Sequence, residues 1–107
     1  MNKKQIYMRD NFLRNLLYKH KGIDNAISTQ DIIKELEVYG RPIKERSLPQ
    51  LIQKLRYKRG VPICYKRGKG YFWAISKNDI DITINDLQNQ IYGLQTTINF
   101  MNSFILE

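Results

Sequence analysis

Hydrogen-bonding and cationic side chains are concentrated between positions 44 and 57, and their types suit contact with a nucleic acid. A Gln amide can pair bidentately with adenine, Arg and Lys can pair with guanine, and Ser or Lys can contact phosphate. On a helix that begins near Ser47, these side chains lie at its start and opposite an apolar stripe. The candidate reading residues are Lys44, Arg46, Ser47, Gln50, Gln53, Lys54 and Tyr57.

A second basic cluster follows in residues 66–70, where Lys66, Arg67 and Lys69 alternate with Gly68 and Gly70. The glycines permit the positive φ of a tight turn. A basic hairpin tip can enter a minor groove or straddle phosphates. The alternative is a turn whose charges only aid solubility.

The charge of the chain is unevenly distributed. All eighteen basic residues lie in residues 1–77 with six acidic ones, a net charge of +12, whereas residues 78–107 hold four acidic residues and no basic one. Between positions 41 and 69 there are ten basic residues and one acid, Glu45. Such a cluster repels itself unless a polyanion neutralises it, which favours a nucleic-acid partner over a merely solvated basic face.

Residues that would support catalysis or metal binding are sparse. With one cysteine, Cys64, and one histidine, His20, no disulfide can form within the chain and zinc ligation is not expected. Cys64 lies in an apolar run and is expected to be a small buried hydrophobic residue. Acidic pairs such as Asp79 with Asp81 are expected at the surface, and no glycine-rich phosphate loop occurs. We therefore expect neither enzymatic activity nor a cofactor.

Three helices are predicted from the apolar spacing, at about residues 4–18, at 29–37, and from Ser47 to before Gly60. Ser28 and Ser47 are expected to be N-caps, and Gly40 and Gly60 to end the second and third helices. Residues 26–27 suit a very short strand. The inward stripe of the third helix is predicted to be Leu48, Leu51, Ile52 and Leu55.

Two short strands at residues 62–65 and 71–75 flank the basic turn and form a predicted hairpin. Three helices followed by a basic hairpin are the element order of a winged helix. The predicted fold class is mainly α with a small β-hairpin wing, that is, a winged helix-turn-helix plus a long C-terminal helix. The expected domains are 1–77, which binds DNA, and 78–107, which dimerises.

The tail carries the clearest periodicity of the sequence. Apolar residues recur at intervals of three and four, with Ile at each a position and Leu or Met at each d position, which favours two-stranded parallel pairing. The alternative is that this stripe folds back onto its own domain. The flanking positions are uncharged and Gly93 is a poor helix former. The predicted dimerisation residues are Ile84, Leu87, Ile91, Leu94, Ile98, Met101 and Ile105.

The segment 55–63, read LRYKRGVPI, and the segment 67–72, read RGKGYF, resemble a known winged-helix family. That family includes the DNA-binding domain of the bacterial biotin-operon repressor and many sugar-operon regulators. The resemblance covers about residues 11–74, and in overall form the chain is similar to small proteins of bacteriophages and integrated elements. It implies a third helix that reads DNA and a hairpin that serves as the wing. The turn over residues 38–46 is longer than is usual in the family, and no effector domain follows the wing, so sensing of biotin or sugar is not implied.

These observations predict a sequence-specific double-stranded DNA-binding protein, acting as a homodimer in the regulation of transcription. No apolar run approaches the roughly 18 residues that cross a bilayer, and the first residues are polar, so the expected compartment is the cytoplasm. No membrane partner and no small-molecule effector are expected. The alternative function is a protein-interaction module, such as a phage-encoded inhibitor or a replication-associated adaptor. RNA binding and enzymatic activity rank below both.

Overall fold

The computed structural model describes residues 1–104, and its elements follow the predicted order. Three helices precede a two-stranded hairpin, and a fourth, long helix follows it. The helices are α1 (Lys3–Tyr18), α2 (Thr29–Tyr39), α3 (Leu48–Arg59) and α4 (Lys77–Asn102), and the strands are β1 (Ile63–Lys66) and β2 (Gly70–Trp73). This arrangement confirms the predicted fold class.

The helix ends are set largely by local sequence. The Ser28 hydroxyl accepts a hydrogen bond from the Asp31 backbone N–H at 3.1 Å, as predicted for an N-cap. Gly40 and Gly60 end α2 and α3 in the left-handed conformation. The prediction that the Ser47 side chain caps α3 is wrong. Ser47 directly precedes the helix, but its backbone is helical and its side chain makes no capping hydrogen bond.

The connection between α2 and α3 is long, as the sequence indicated. It occupies residues 40–47 and ends in a 3-10 turn, Glu45–Ser47, that leads directly into α3. This turn explains why Ser47 has a helical backbone. The short turn typical of helix-turn-helix motifs is therefore replaced by an extended stretch plus one tight turn.

The core is formed where α1, α2 and α3 meet under the hairpin. The four predicted inward residues of α3 are all buried. Phe72 of β2 is fully buried, whereas its neighbours Tyr71 and Trp73 are half-buried, so one side of the strand packs on the helices as expected. The remaining core residues come from α1, α2, β1 and the segments just before α2 and β1, and are Leu13, Leu16, Leu17, Ile27, Ile32, Leu36, Val61, Ile63 and Cys64.

The hairpin is antiparallel, with Cys64 opposite Phe72 and Lys66 opposite Gly70. Ile27 forms a single-residue antiparallel bridge with Tyr71 of β2. The Ile27 N–H donates to the Tyr71 carbonyl at 2.8 Å, and the Ile27 carbonyl accepts from the Tyr71 N–H at 2.9 Å. The short strand expected at residues 26–27 is thus present as this bridge. It ties the wing to the N-terminal end of α2.

Helix α4 packs against the free edge of β1 through its first half. The Thr83 hydroxyl accepts from the Tyr65 N–H at 3.3 Å, which satisfies a backbone donor at the sheet edge. Asp79 is 6 % exposed and accepts from the Ile75 N–H at 2.9 Å, so the expectation that Asp79 lies at the surface is wrong. Beyond Gln90, the helix is exposed up to its end at Asn102.

None of the helices in residues 1–104 is long and apolar enough to span a lipid bilayer.

Gly70 allows a close backbone approach that a Cβ would prevent. Its φ is +116°, and a Cβ there would lie 2.2 Å from the Ile27 carbonyl oxygen. We expect Gly70→Ala to break the Ile27–Tyr71 bridge and to lower the free energy of unfolding by roughly 2–4 kcal/mol. Gly68→Ala is the matched control, since its φ of +84° is also positive but its Cβ would meet nothing within 4 Å. The control should lose about 1–2 kcal/mol in urea denaturation, and equal losses for the two variants would contradict the steric explanation.

Candidate nucleic-acid interface

The predicted reading residues lie on two different sides of α3. Five of the seven line or flank a groove between α1 and the start of α3, which we call the α1–α3 groove, with a volume of about 640 Å³. The other two, Gln53 and Tyr57, line a second groove between α3 and α4. The α1–α3 groove is lined by Arg9, Ile43, Lys44, Arg46, Ser47, Gln50, Leu51 and Lys54.

Four cationic side chains converge on the α1–α3 groove, and the residues that line it include no acid. A single carboxylate lies beneath them: Asp10 is 2 % exposed and is held between Lys54 and Arg9. Lys54 Nζ lies 2.6 Å from Asp10 Oδ2, and Arg9 Nη2 lies 3.2 Å from Asp10 Oδ1. The four cations and the Asp10 carboxylate together have a net charge of +3, which makes the groove a favourable place for phosphate.

Asp10 also fixes the position of Lys54, which the sequence suggested only as a free contact residue. The Lys54 side chain is 43 % exposed, so its ammonium is shared between Asp10 and solvent. Gln50 and Arg46 on the same side of α3 are exposed and make no side-chain hydrogen bond among the contacts of residues 1–104. These two side chains are therefore free to meet a ligand.

Gln53 and Tyr57 have a different environment. The Gln53 amide oxygen accepts from Arg56 Nη1 at 3.3 Å, and Tyr57 is exposed beside the first turns of α4. The groove between α3 and α4, which we call the α3–α4 groove, has a volume of about 220 Å³ and a largely apolar lining. Its lining residues are Gln53, Arg56, Tyr57, Ile63, Cys64, Ile80, Thr83, Ile84 and Leu87.

The wing presents exposed cations at its tip. Arg67 and Lys69 are exposed, and the turn closes through the Lys69 N–H, which donates to the Lys66 carbonyl at 2.9 Å. Gly68 and Gly70 both have positive φ, as predicted. Lys66 is less available, since its ammonium lies 3.5 Å from the Asp86 carboxylate of α4.

The basic residues at the end of α3 are partly used within the fold. Arg56 Nε donates to the Ile63 carbonyl at 2.9 Å, and Arg59 donates to the Asn11 side chain and lies over the ring of Tyr7. Lys58 stays exposed. The ten basic residues of positions 41–69 thus occupy distinct environments, and the exposed ones lie at the α1–α3 groove, at the wing tip and, in the case of Lys58, near the end of α3.

The predicted dimerisation residues form an exposed stripe along α4. From Ile84 to Met101 each is between 45 % and 65 % exposed. Ile105, the last residue of the predicted seam, lies outside the described residues. The exposed stripe, which we call the seam, consists of Ile84, Leu87, Ile91, Leu94, Ile98 and Met101.

The thiol of Cys64 and the imidazole of His20 lie in surroundings that suit a role in the fold. Cys64 is buried, and this burial raises the pKa of its thiol, so it is the small hydrophobic residue that was expected rather than a thiolate. His20 Nδ1 lies 2.9 Å from the Asn25 carbonyl oxygen. In residues 1–104, no group of three His, Cys, Asp or Glu residues is arranged to hold a metal ion.

Arg9 lines the α1–α3 groove, and the sequence prediction did not include it among the candidate site residues. Arg9 and Asp10 precede Leu13 by four and three residues, so helical spacing places both near the inward face of α1. A charged pair at such positions indicates a buried ion pair, which another cation can extend. The spacing does not reveal that this cation is Lys54, 44 residues away.

Comparison of the chain with protein-family models, with curated proteins and with solved structures gives no significant match.

Asp10 is expected to stabilise the α1–α3 groove. Asp10→Asn removes the carboxylate from an Arg9 side chain that is 13 % exposed, and leaves its guanidinium with weaker partners. We expect a loss of about 1–3 kcal/mol in the free energy of unfolding, measured by urea denaturation. Asp81→Asn, at an exposed position, is the matched control and should change stability by less than about 0.5 kcal/mol. A loss no larger than that of the control would show that the ion pairs contribute nothing.

Proposed function

We propose that this chain is a sequence-specific double-stranded DNA-binding protein that acts as a homodimer and regulates transcription, in the cytoplasm, for a bacteriophage or another mobile element. The observation that carries the proposal is the α1–α3 groove, where four cations surround the exposed start of α3 over one buried carboxylate. The proposal assigns no enzymatic activity and no cofactor.

Helix α3 suits the role of reading helix because one of its sides is apolar and buried and the other is polar and exposed. Its apolar stripe is buried in the core, while Arg46, Ser47 and Gln50 lie at its start and are exposed or half-buried. A major groove about 12 Å wide admits one helix, and residues at the N-terminal end of the helix reach the base edges. Gln50 and Arg46 are the side chains that we assign to base contacts, with adenine and guanine as their preferred partners.

Phosphate contacts come from the cations around the reading helix and from the wing. Lys44, Lys54 and Arg9 flank the start of α3, and Arg67 and Lys69 stand at the hairpin tip. Contacts of this kind release counterions, so the affinity for any DNA should fall steeply with salt. Base contacts and phosphate contacts are thus carried by different residues and can be separated experimentally.

The proposal is tested by selecting bound sequences from a random DNA pool with the full chain and then measuring affinity for the selected DNA and for its scrambled version. We expect at least a thousandfold preference for the selected DNA at physiological salt. Absence of DNA binding at that salt, together with tight binding of one acidic protein, would overturn the proposal in favour of a protein-interaction module.

Substitutions at Gln50 and Lys69 should separate reading from phosphate contact. We expect Gln50→Ala to weaken binding to the selected DNA by about 1–3 kcal/mol and to leave binding to scrambled DNA unchanged. We expect Lys69→Ala to weaken binding to both DNAs alike and to reduce the slope of log affinity against log salt by about 1. Fluorescence anisotropy titrations over a salt series measure both quantities. An equal loss on both DNAs for Gln50→Ala would refute the reading role of Gln50.

A further inference from the structure

The second half of α4 extends away from the domain as an exposed amphipathic helix. In addition to the seam, Phe100 is 62 % exposed and Phe104, just past the helix end, is 54 % exposed. The two rings pack edge to face with centroids 4.9 Å apart, so both lie on the same side of the tail. A continuous exposed apolar surface of this kind is typical of a site of contact with another molecule.

The first half of α4 forms one wall of the α3–α4 groove. Ile80, Ile84 and Leu87 face Tyr57 across it, and Ile63 and Cys64 are among the other residues that line it. The seam therefore runs from this groove to the free end of the tail without interruption. A single elongated partner can cover both.

We propose that a second copy of this chain pairs with α4 in antiparallel orientation, and that its Phe100 and Phe104 occupy the α3–α4 groove. The proposal rests on the homodimer of the proposed function and specifies how that homodimer is built. An isologous pairing of this kind has two equivalent grooves, each filled by the tail of the other chain.

The spacing of the seam is compatible with reversal of one helix. About an axis between Tyr92 and Gly93, Ile84 faces Met101 of the second copy, Leu87 faces Ile98, and Ile91 faces Leu94. Each layer then contains one a residue and one d residue, as in other antiparallel helix pairs. The described part of the seam has no unmatched position.

The flanks of the seam favour the antiparallel orientation over the parallel one. One flank of the helix carries four residues at intervals of seven, namely Thr83, Gln90, Thr97 and Phe104. The first two of these line a cavity against β1 and α3. Antiparallel pairing brings like flanks together, and so places Phe104 of one chain beside Thr83 of the other, at the α3–α4 groove. Parallel pairing places the opposite flank there and leaves both phenylalanines in water.

Charge favours the same orientation. Residues 1–77 have a net charge of +12, and parallel pairing places two such bodies side by side at one end of the tail. In the antiparallel pair, the first half of α4 in one chain, which packs on its own domain, lies about 18 residues along the axis from the first half of α4 in the other chain. This separation is roughly 27 Å. This distance exceeds three Debye lengths of about 8 Å at physiological ionic strength, so the repulsion is largely screened.

The proposed pairing gives Gln53 and Tyr57 a different neighbour from the one that the sequence suggested. With the tail of the second copy in the α3–α4 groove, these two side chains contact protein. The proposed DNA surface then consists of the α1–α3 groove and the exposed cations of the wing tip, without Gln53 and Tyr57.

Cysteine cross-linking of the full chain tests the orientation. In a Cys64→Ala background, Leu87→Cys with one affinity tag is mixed with untagged Ile98→Cys and oxidised mildly. We expect the mixed 87–98 cross-link to exceed either self cross-link at least tenfold. Asn89→Cys mixed with Thr96→Cys is the matched control, since these positions lie at the same level on the opposite side of the helix and should not cross-link.

The other outcomes are decisive as well. Dominant 87–87 and 98–98 cross-links would establish parallel pairing and overturn the orientation while keeping the homodimer. If light scattering shows a dimer but neither kind of cross-link forms, the proposal that the seam is the dimer interface is overturned. If the chain is a monomer by light scattering at a protein concentration 100-fold above that at which it binds DNA, the homodimer itself is overturned. The DNA selection experiment would still decide the DNA-binding proposal independently.

A second measurement tests the occupation of the groove. Phe104→Ala removes only an exposed side chain at the end of the tail, so folding of the single chain should be unaffected. We expect its dimer dissociation constant, measured by sedimentation equilibrium, to rise about tenfold, and Tyr57→Ala to cause a similar rise. An unchanged dissociation constant for both variants would overturn the docking of the aromatic tail in the groove.

Discussion

The packing of α3 into the core determines the rest of this molecule. Leu48, Leu51, Ile52 and Leu55 are each at most 9 % exposed, so α3 cannot rotate without exposing its apolar side to water. That constraint fixes which polar side chains point outward. It places Gln50 toward α1 and Tyr57 toward α4, and in this way divides one exposed helix surface into two sites of different character.

The two sites differ because different elements flank them. Helix α1 adds Arg9 to the cations of the α1–α3 groove, and its buried Asp10 pairs with both Arg9 and Lys54. Helix α4 contributes Ile80, Ile84 and Leu87, which make the α3–α4 groove apolar. The cationic groove and the apolar groove lie on opposite sides of α3, so the partners that we propose, DNA and a second α4, would contact different sides of the same short helix.

Sequence reasoning predicted the elements well because their signals are local. The apolar spacing of α3, the Ser28 cap and the glycines at 40 and 60 each act within one or two helical turns, and the structure confirms them. The errors concern contacts between distant residues or precise backbone conformation. Asp79 was expected at the surface, yet it caps the entry to α4, and Ser47 has a helical backbone that prevents capping. Periodicity cannot reveal that Lys54 pairs with Asp10.

The place of α4 in the fold connects the tail to the surface that we propose for DNA. The Thr83 hydroxyl binds the first half of the helix to β1, and the buried Asp79 accepts from the Ile75 N–H just before the helix begins. The direction of the free half is therefore set by contacts with the hairpin and with the segment that leads into α4. A second chain that pairs with this half is thereby oriented relative to α3 as well. For a DNA-binding dimer this matters because the spacing of two half-sites must match the spacing of two reading helices. In the proposed dimer, the contacts that hold the start of α4 limit how the two reading helices move relative to each other, whereas a flexible linker would lose part of the specificity in conformational entropy.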